Sequence, residues 1–334
     1  MRRILRNLLA FISLLLAISI LLFAAFRFLP GDPARAMLGL SAEETKVQEL
    51  RHELGLDKPL LEQYTQSILG IFRQDKPLLS LRFKEPVLDL IKARLPLSLS
   101  LALFAFVLIL LIAIPLALLA AYYDGRTADW LSGILTRIMQ AIPPFFMAML
   151  LSLILATLFN YYRPSFYPQN AALSERLKAL ALPALAIALP RLSQAFQFLR
   201  DALVAEWSKD YVLTARSQGA GRARILLSQL LPNALIPFIT ASGLIFAEIL
   251  SSSLIIEQVF KLPGIGQLLF AAVAQLDFPL AQSIILLLAC LIISINRAVD
   301  FLNRSLDPRL TIKSRSSSPV TLKALGSNQG GYDD

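Results

Sequence analysis

Four long segments of this 334-residue chain carry no charged side chain. They are the stretches between Arg6 and Arg27, Arg94 and Asp124, Arg137 and Arg163, and Asp277 and Arg297. A helix needs about 20 predominantly apolar residues to cross a bilayer, and its backbone groups must bond within the segment because lipid offers no partners. The four stretches therefore predict transmembrane helices rather than the core elements of a soluble domain.

Two further segments fit the same interpretation less cleanly. One lies between Arg224 and Glu248 and stays apolar through Ile256, and the other, Ala179 to Leu199, is interrupted by Arg191. With 56% hydrophobic and only 16% charged residues, the composition is that of a chain lying mostly in lipid. We predict an all-α polytopic membrane protein with six transmembrane helices.

Basic residues before the first span predict its orientation. Arg2, Arg3 and Arg6 precede it, and short flanks rich in arginine and lysine stay in the cytoplasm. Six spans then place both termini in the cytoplasm of a bacterial inner (plasma) membrane, with 124–137 an inner turn and 200–232 an inner segment. The predicted division of the chain is residues 1–29, an N-terminal transmembrane helix; 30–94, an outer helical loop region; 95–310, the core; and 311–334, a disordered cytoplasmic tail.

The outer loop region has the pattern of soluble helices. Ser41 and Glu44 have the spacing of a capping box, Gly55 is a natural helix stop, and a second helix is expected to start near Pro59. In the core, Pro96 is expected to open the second span and Pro115 to kink it. Pro143-Pro144 are expected to break the third span.

Several kinds of chemistry have no support in the sequence. No glycine is followed by lysine, so the phosphate-binding P-loop is missing and the chain is not expected to hydrolyse ATP. His52 is the one histidine, which excludes a paired-histidine zinc motif, and no GxSxG elbow occurs. Cys290 stands alone, so no disulfide can form within the chain. We predict no catalytic residue, no metal site and no bound cofactor.

The net charge of +9 could suggest nucleic acid as a partner. The basic residues, however, are spread over the predicted inner flanks, and no basic stripe contains interleaved aromatic residues. We therefore expect these charges to face anionic lipid, and no nucleic acid to bind.

One polar segment, 205–232, lies between two predicted spans. Ser208 or Asp210 can start a short helix, Gly219 and Gly221 permit a left-handed break, and Arg222 can start a second helix. Such a helix, hinge and helix can present an outward face to a soluble partner. The alternative is an amphipathic helix that rests on the lipid surface.

This segment resembles the EAA loop of binding-protein-dependent ABC importer permeases. The matching residues are Thr214, Ala215 and Gly219, followed after nine residues by Gln229-Leu230-Leu231-Pro232. The whole chain is similar to the dipeptide, oligopeptide and nickel subfamily of these permeases. The supporting stretches, in the family's order, are LPGDPA (29–34), RHELGLDKPLLEQY (51–64), EPVLDLIKARLPLSL (85–99), AIPPFF (141–146), DYVLTARSQG (210–219), NALIP (233–237), EQVFKLPGIGQLL (257–269), LDFP (276–279) and LDPRL (306–310).

The resemblance implies a division of labour among several chains. A receptor outside would deliver the solute, this chain and a second permease, as a heterodimer, would form the path, and two ATPase subunits would hold ATP and magnesium. The coupling loop would consist of Asp210, Thr214, Ala215, Arg216, Gly219, Gly221, Leu231 and Pro232. Gly219 and Gly221 would let it turn tightly, Arg216, Arg222 and Arg224 would hold it at the inner surface, and Leu231-Pro232 would end the docking helix.

Candidate residues of the path lie in the fifth span. Glu248 stands well inside it, and Ser251, Ser252 and Ser253 follow one turn later. A charge at mid-bilayer costs about 2.5 to 3.5 kcal/mol on insertion scales, so Glu248 is expected to face a cavity or a partner such as Arg191, Gln194 or Gln282. Glu257, near the outer end, is a further candidate for the path, or holds the LPGIG loop.

The importer permease has two rivals on the sequence: an ion-driven secondary transporter, and a membrane enzyme, for which no nucleophile or metal set is found. An ion-driven secondary transporter would use Glu248 and work without partners, whereas an importer permease would be inactive without its ATPase. The cargo could be a dipeptide, an oligopeptide, or nickel or another metal complex. The sequence does not choose among them.

Overall fold

A computed structural model describes residues 2–28, 33–38, 42–73, 75, 77–159, 167–168 and 171–306. These residues form helices and no extended strand, with a single isolated bridge between Leu79 and Pro86. Ser41 of the predicted capping box and the predicted tail 311–334 lie outside the described residues.

The helices follow the chain in a simple order. Their bounds are α1 Arg2–Phe28, α2 Pro33–Leu38, α3 Glu44–Glu53, α4 Leu60–Phe72, α5 Val87–Tyr122, α6 Thr127–Ala141, α7 Pro144–Phe159, α8 Leu173–Trp207, α9 Asp210–Ser217, α10 Arg222–Ile225, a π-helical turn Leu226–Leu230, α11 Leu231–Val259, α12 Ile265–Ala274 and α13 Phe278–Leu306.

The described residues contain five helices long and apolar enough to cross a membrane. A sixth span results if the pair Asp129–Ala141 and Pro144–Leu158, which bends by 103°, is counted as one broken span. The break falls at Pro143-Pro144, as the sequence predicts, because proline removes a backbone donor and clashes with the preceding turn. The all-α polytopic membrane fold is thus confirmed.

The predicted turn over 124–137 was too long, because α6 already begins at Thr127. Most of this segment is the first part of α6, and its polarity is reversed relative to a soluble helix. Asp129, Ser132 and Thr136 are buried against the bundle, while Trp130 and Leu135 are exposed. An apolar outer face is stable in lipid, so charged residues within the segment do not mark a loop there.

Pro96 and Pro115 lie inside one continuous helix, α5, which starts at Val87, before the predicted core boundary at 95. The expected opening of the span at Pro96 was wrong, while the kink at Pro115 stays a prediction. Membrane helices tolerate interior proline where neighbouring helices and serine hydroxyls compensate for the lost bond.

The core is formed where α8 packs between α5 and α11. Small side chains on the facing surfaces, such as Ala105, Ala113 and Ala184, are fully buried and let the backbones approach closely. Large side chains such as Phe196 and Ile245 fill the remaining space. The core thereby connects the two ends of the bundle rigidly.

The outer loop region is tied to the spans at two places. The hydroxyl oxygen of Tyr64 in α4 is 2.7 Å from the hydroxyl oxygen of Ser19 in α1. Helix α4 begins immediately after Pro59, as predicted. The carboxylate of Asp277, at the start of α13, accepts hydrogen bonds from the Ser80 hydroxyl and, at 3.2 Å, from the backbone N–H of Arg82. Gly55 follows α3 with φ +66°, confirming the predicted stop.

Candidate functional site

The polar segment between α8 and α11 forms a short helix and a tight turn. Helix α9 begins at Asp210, and Gly219 has φ +83°, a left-handed conformation that only glycine adopts without strain. The N–H of Ala220 donates to the carbonyl of Ala215 at 3.0 Å, which closes the turn. Gly221 is different, since its φ of −68° and ψ of 152° are open to any residue.

The helical structure after the turn continues into the fifth span without a break. Helix α10, the π-helical turn Leu226–Leu230 and α11 follow one another without interruption. The prediction that Leu231-Pro232 ends the docking helix was therefore wrong. Pro232 has no N–H to complete a normal α-helical bond, and the wider turn just before it accommodates that loss without breaking the helix.

The 208–222 segment and the turns after it present one face to the surroundings. Leu213 is 62% exposed and Leu227 is 55% exposed, although both are large apolar side chains. The inward face is apolar as well, with Val212, Ala215 and Ile225 buried. Among the other residues predicted for the coupling loop, Leu231 is half-buried, and the exposed ones are Asp210, Thr214, Arg216, Gly219, Gly221 and Pro232.

Arginine and aromatic side chains hold this segment to the spans. The guanidinium carbon of Arg216 is 5.4 Å from the ring centre of Trp207. That of Arg222 is 5.1 Å from the Trp207 ring and 5.4 Å from the Tyr122 ring. These distances are those of cation–π contacts. Arg216 and Arg222 therefore bind protein rings here, which the sequence pattern did not indicate.

A second anchor of α9 is polar. The Tyr211 hydroxyl donates to the Glu206 carboxylate at 2.6 Å and accepts from the Asn233 side chain at 3.3 Å, which links α8, α9 and α11. Burial, together with the hydrogen bond to Glu206, raises the pKa of the Tyr211 phenol above its usual value. Tyr211 therefore stays protonated and keeps its donor.

Arg200 of α8 bonds residues of α6 and of the turn before α6. Its guanidinium forms two parallel 2.7 Å contacts with Asp129 and further contacts with Asp124 at 3.1 Å and Asp201 at 3.0 Å. The paired geometry with Asp129 is the strong form of an arginine–carboxylate interaction. It fixes the start of α6 beside α8, at the end of the bundle where the 208–222 segment also lies.

Within the spans, Arg191 of α8 forms an ion pair and hydrogen bond with Glu248 of α11. The predicted interhelical partner of Glu248 is thus present. The two side chains remain 30% and 40% exposed in this chain, so they lie at its surface rather than in its core. Charged groups at this depth face a partner or a cavity, not lipid.

Other polar side chains share this exposed surface. Gln194 of α8 is half-buried, and Thr240 and Ser251 of α11 are exposed. Ser252 and Ser253 turn inward and donate to carbonyls of their own helix, at 2.9 Å and 2.8 Å. The polar face, defined here as Arg191, Gln194, Thr240, Glu248 and Ser251, thus includes only the first of the three serines.

Glu257 has a different environment from Glu248. Its side chain is fully buried, and its Oε2 accepts from the N–H of Gly266 at 2.6 Å. The N–H of Ile265 donates to Ser98 of α5 at 2.8 Å, so the loop before α12 is held from both sides. Glu257 holds the LPGIG loop and lies away from the polar face.

The packing around the LPGIG loop leaves no room for a larger residue at Gly266. A Cβ there would lie 2.4 Å from both the Cα and the carbonyl oxygen of Leu254. We expect Gly266→Ala to destabilise the protein by about 1–3 kcal/mol, the usual cost of overpacking. Heating the purified protein in detergent and measuring the fraction that stays monodisperse tests this. Gly133→Ala, where no atom lies within 4 Å, is the matched control and should melt like the parent; equal melting of the two variants would contradict the expectation.

Two features of the site were missed on the sequence. Trp207 carried no signal of its own, because one tryptophan in a polar segment has no predictable partner. The Asp129–Arg200 pair was missed because the segment containing Asp129 was interpreted as a turn.

Two family models match the chain. The model for the binding-protein-dependent transport system inner membrane component matches residues 113–312, and the model for the N-terminal part of such components matches residues 1–102. A putative peptide transport system permease protein of Brucella suis biovar 1 is 33% identical over 300 residues, which is 90% of this chain and 95% of the relative. The glutathione transport system permease protein GsiC of Escherichia coli K12 is 31% identical over 310 residues, 93% of this chain and 99% of the relative.

Solved structures with the same fold include two ABC transporters. The MetNI methionine ABC transporter in an inward-facing conformation gives a TM-score of 0.56 at 16% identity, over 67% of this chain and 99% of the other. An amino acid ABC transporter with histidines gives a TM-score of 0.51 at 15% identity, over 65% and 94%. At these identities the likeness concerns the fold alone.

Proposed function

We propose that this chain, which belongs to the family of binding-protein-dependent transport system inner membrane components and is a multi-pass permease of an ABC import system, imports peptides or related small solutes. A separate ATPase, which docks on residues 208–222, drives the transport. We call these residues the docking segment. The names of the peptide and glutathione permease relatives support the choice of cargo.

One observation carries the assignment of the docking segment. Its inner face is fixed by Trp207, Tyr211 and the buried Val212, while Leu213 on its outer face is 62% exposed. A short helix that is rigidly attached on one side and bare on the other is suited to receive a partner protein. An apolar side chain in the centre of a polar rim is the usual anchor of such an interface.

The proposed assembly contains several chains. Members of the family work with ATPase and other permease subunits in general; for this chain we propose two ATPase subunits that hold ATP and magnesium, a second permease in a heterodimer, and an outer solute-binding protein. The arginines at 2, 3 and 6 support a cytoplasmic N-terminus, and in that orientation the docking segment would face the ATPase.

Transport then follows from a switch of the helix bundle between two packing arrangements. ATP binding closes the ATPase dimer, and each subunit displaces the docking segment that it grips. Because α8 runs into this segment and α11 follows it through α10 and the π-helical turn, its displacement is passed to both helices that carry the polar face. ATP drives the change only to the extent that it favours one packing over the other.

The polar face is the proposed wall of the path. In the assembly it would meet the corresponding surface of the second permease, and solute would pass between them. Amide, hydroxyl and paired charged groups match the amides and termini of a peptide. Nickel or another metal complex is the alternative cargo within the same role.

Reconstitution in proteoliposomes tests the division of labour. The panel of substrates contains labelled di- to hexapeptides and glutathione, delivered with the receptor. We expect uptake only when this chain, the second permease and the ATPase are all present with ATP. Uptake by this chain alone, driven by a proton or sodium gradient, would show a secondary transporter instead and contradict the proposal.

A further inference from the structure

Trp207 lies where three segments of the chain meet. It is the last residue of α8, and its indole N–H donates to the carbonyl of Ala121 near the end of α5, at 3.2 Å. The same ring receives Arg216 from α9 and Arg222 from α10. A single side chain therefore connects two spans to both helices around the Gly219 turn.

The two arginines depend on this ring. Within the described residues, neither Arg216 nor Arg222 has a carboxylate within ion-pair distance. Their guanidinium groups instead contact the aromatic rings of Trp207 and Tyr122. Two guanidinium groups repel each other, and the electron-rich faces of aromatic rings offset that repulsion. Removing the indole therefore takes away the ring contact of Arg216 and leaves Arg222 with the Tyr122 ring alone, while the repulsion remains and Tyr211 still anchors α9.

The other tryptophan offers a comparison within the same chain. Trp130 on α6 is 68% exposed, as expected of a tryptophan at a membrane interface. Trp207 is half-buried and has one hydrogen bond and two cation contacts with other segments. Its contacts are directed to the docking segment and not to the surroundings.

We propose that Trp207 is the positioning residue that transmits movement of the docking segment to α5 and α8, an inference that rests on the proposed docking function. Tyr211 connects α9 only to the helices on either side of the docking segment, through Glu206 of α8 and Asn233 of α11. Trp207 adds a hydrogen bond to α5, which Tyr211 does not reach. Without the indole, the ATPase still docks on α9 and hydrolyses ATP, and the bundle no longer follows.

The experiment measures the ATP hydrolysed per peptide imported by the complete complex in proteoliposomes, with the peptide that gives the highest uptake in the panel above. We expect Trp207→Leu to raise this ratio about tenfold, with the hydrolysis rate within about twofold of the parent, since it loses two cation–π contacts and a hydrogen bond. Trp207→Phe keeps an aromatic face and should give a smaller increase. Trp130→Leu is the control and should leave the ratio unchanged.

A variant without the indole could fail to assemble, so a second variant keeps the ring. Arg216→Gln combined with Arg222→Gln removes both cations and should raise the ratio as Trp207→Leu does. An unchanged ratio in either assembled variant would overturn the inference. Gly219→Val in the same assay separates the two proposals: if it loses uptake while the Trp207 and arginine variants keep a normal ratio, the docking function stands and the role of Trp207 does not.

Discussion

Gly219→Val is expected to leave the chain inserted in the membrane and to lower peptide uptake by about tenfold or more. Gly219 has φ +83°, and no atom would lie within 4 Å of an added Cβ, so the whole effect comes from the backbone. A β-branched residue in this conformation costs about 1–3 kcal/mol, enough to shift the turn toward another geometry. Displaced from its turn, α9 no longer presents Leu213 where the ATPase can bind it.

Gly221→Val is the matched control for this prediction. An added Cβ also meets no atom within 4 Å there, but the backbone is extended, where valine is favoured. We expect its uptake to stay within about twofold of the parent. Gly219→Asn, which tolerates the left-handed region, should recover part of the activity. Normal uptake by Gly219→Val, or equal loss in both valine variants, would show that the left-handed turn is not required.

Arg191 and Glu248 are expected to show strong coupling in a double-mutant cycle. Each single variant, Arg191→Met or Glu248→Met, leaves one charge unpaired at the depth of the membrane. We expect each to lower the amount of assembled complex about tenfold, because one charge left without its partner within the membrane costs far more than removing both charges. The double variant should recover most of the assembled complex.

Uptake by the double variant then separates the two roles of the pair. If the pair also contacts solute, the recovered complex will assemble normally and still import poorly. Losses that simply add in the double variant would show that the two residues act independently and contradict the contact between them.

The sequence was most informative about the spans. Charge-free runs such as that between Arg94 and Asp124 predict helices because lipid leaves the backbone no alternative. Pro143-Pro144 and Gly219 were also predicted correctly, since their effect is local and fixed by the backbone. The path residues Glu248 and Ser251 stay predictions, now with a defined surface.

Other features depended on contacts between distant segments. The inverted polarity of α6 is visible only once Asp129 is paired with Arg200, 71 residues away. Pro96 and Pro115 do not break α5, because packing in the bundle overrides their local tendency. The role of Arg216 and Arg222 changed for the same reason: their partner, Trp207, is defined by the fold and not by the spacing of charges.

Cross-linking from the docking segment tests the central claim most directly. With Cys290 replaced by alanine, the one cysteine of the chain can be placed at exposed Ser217, or at exposed Ser174 near the start of α8 as a control. In the active complex, a short cross-linker on Ser217→Cys should capture the ATPase subunit, with a yield that changes when ATP is added, and Ser174→Cys should capture none. An active complex in which Ser217→Cys never reaches the ATPase would contradict the assignment of residues 208–222 as the docking segment.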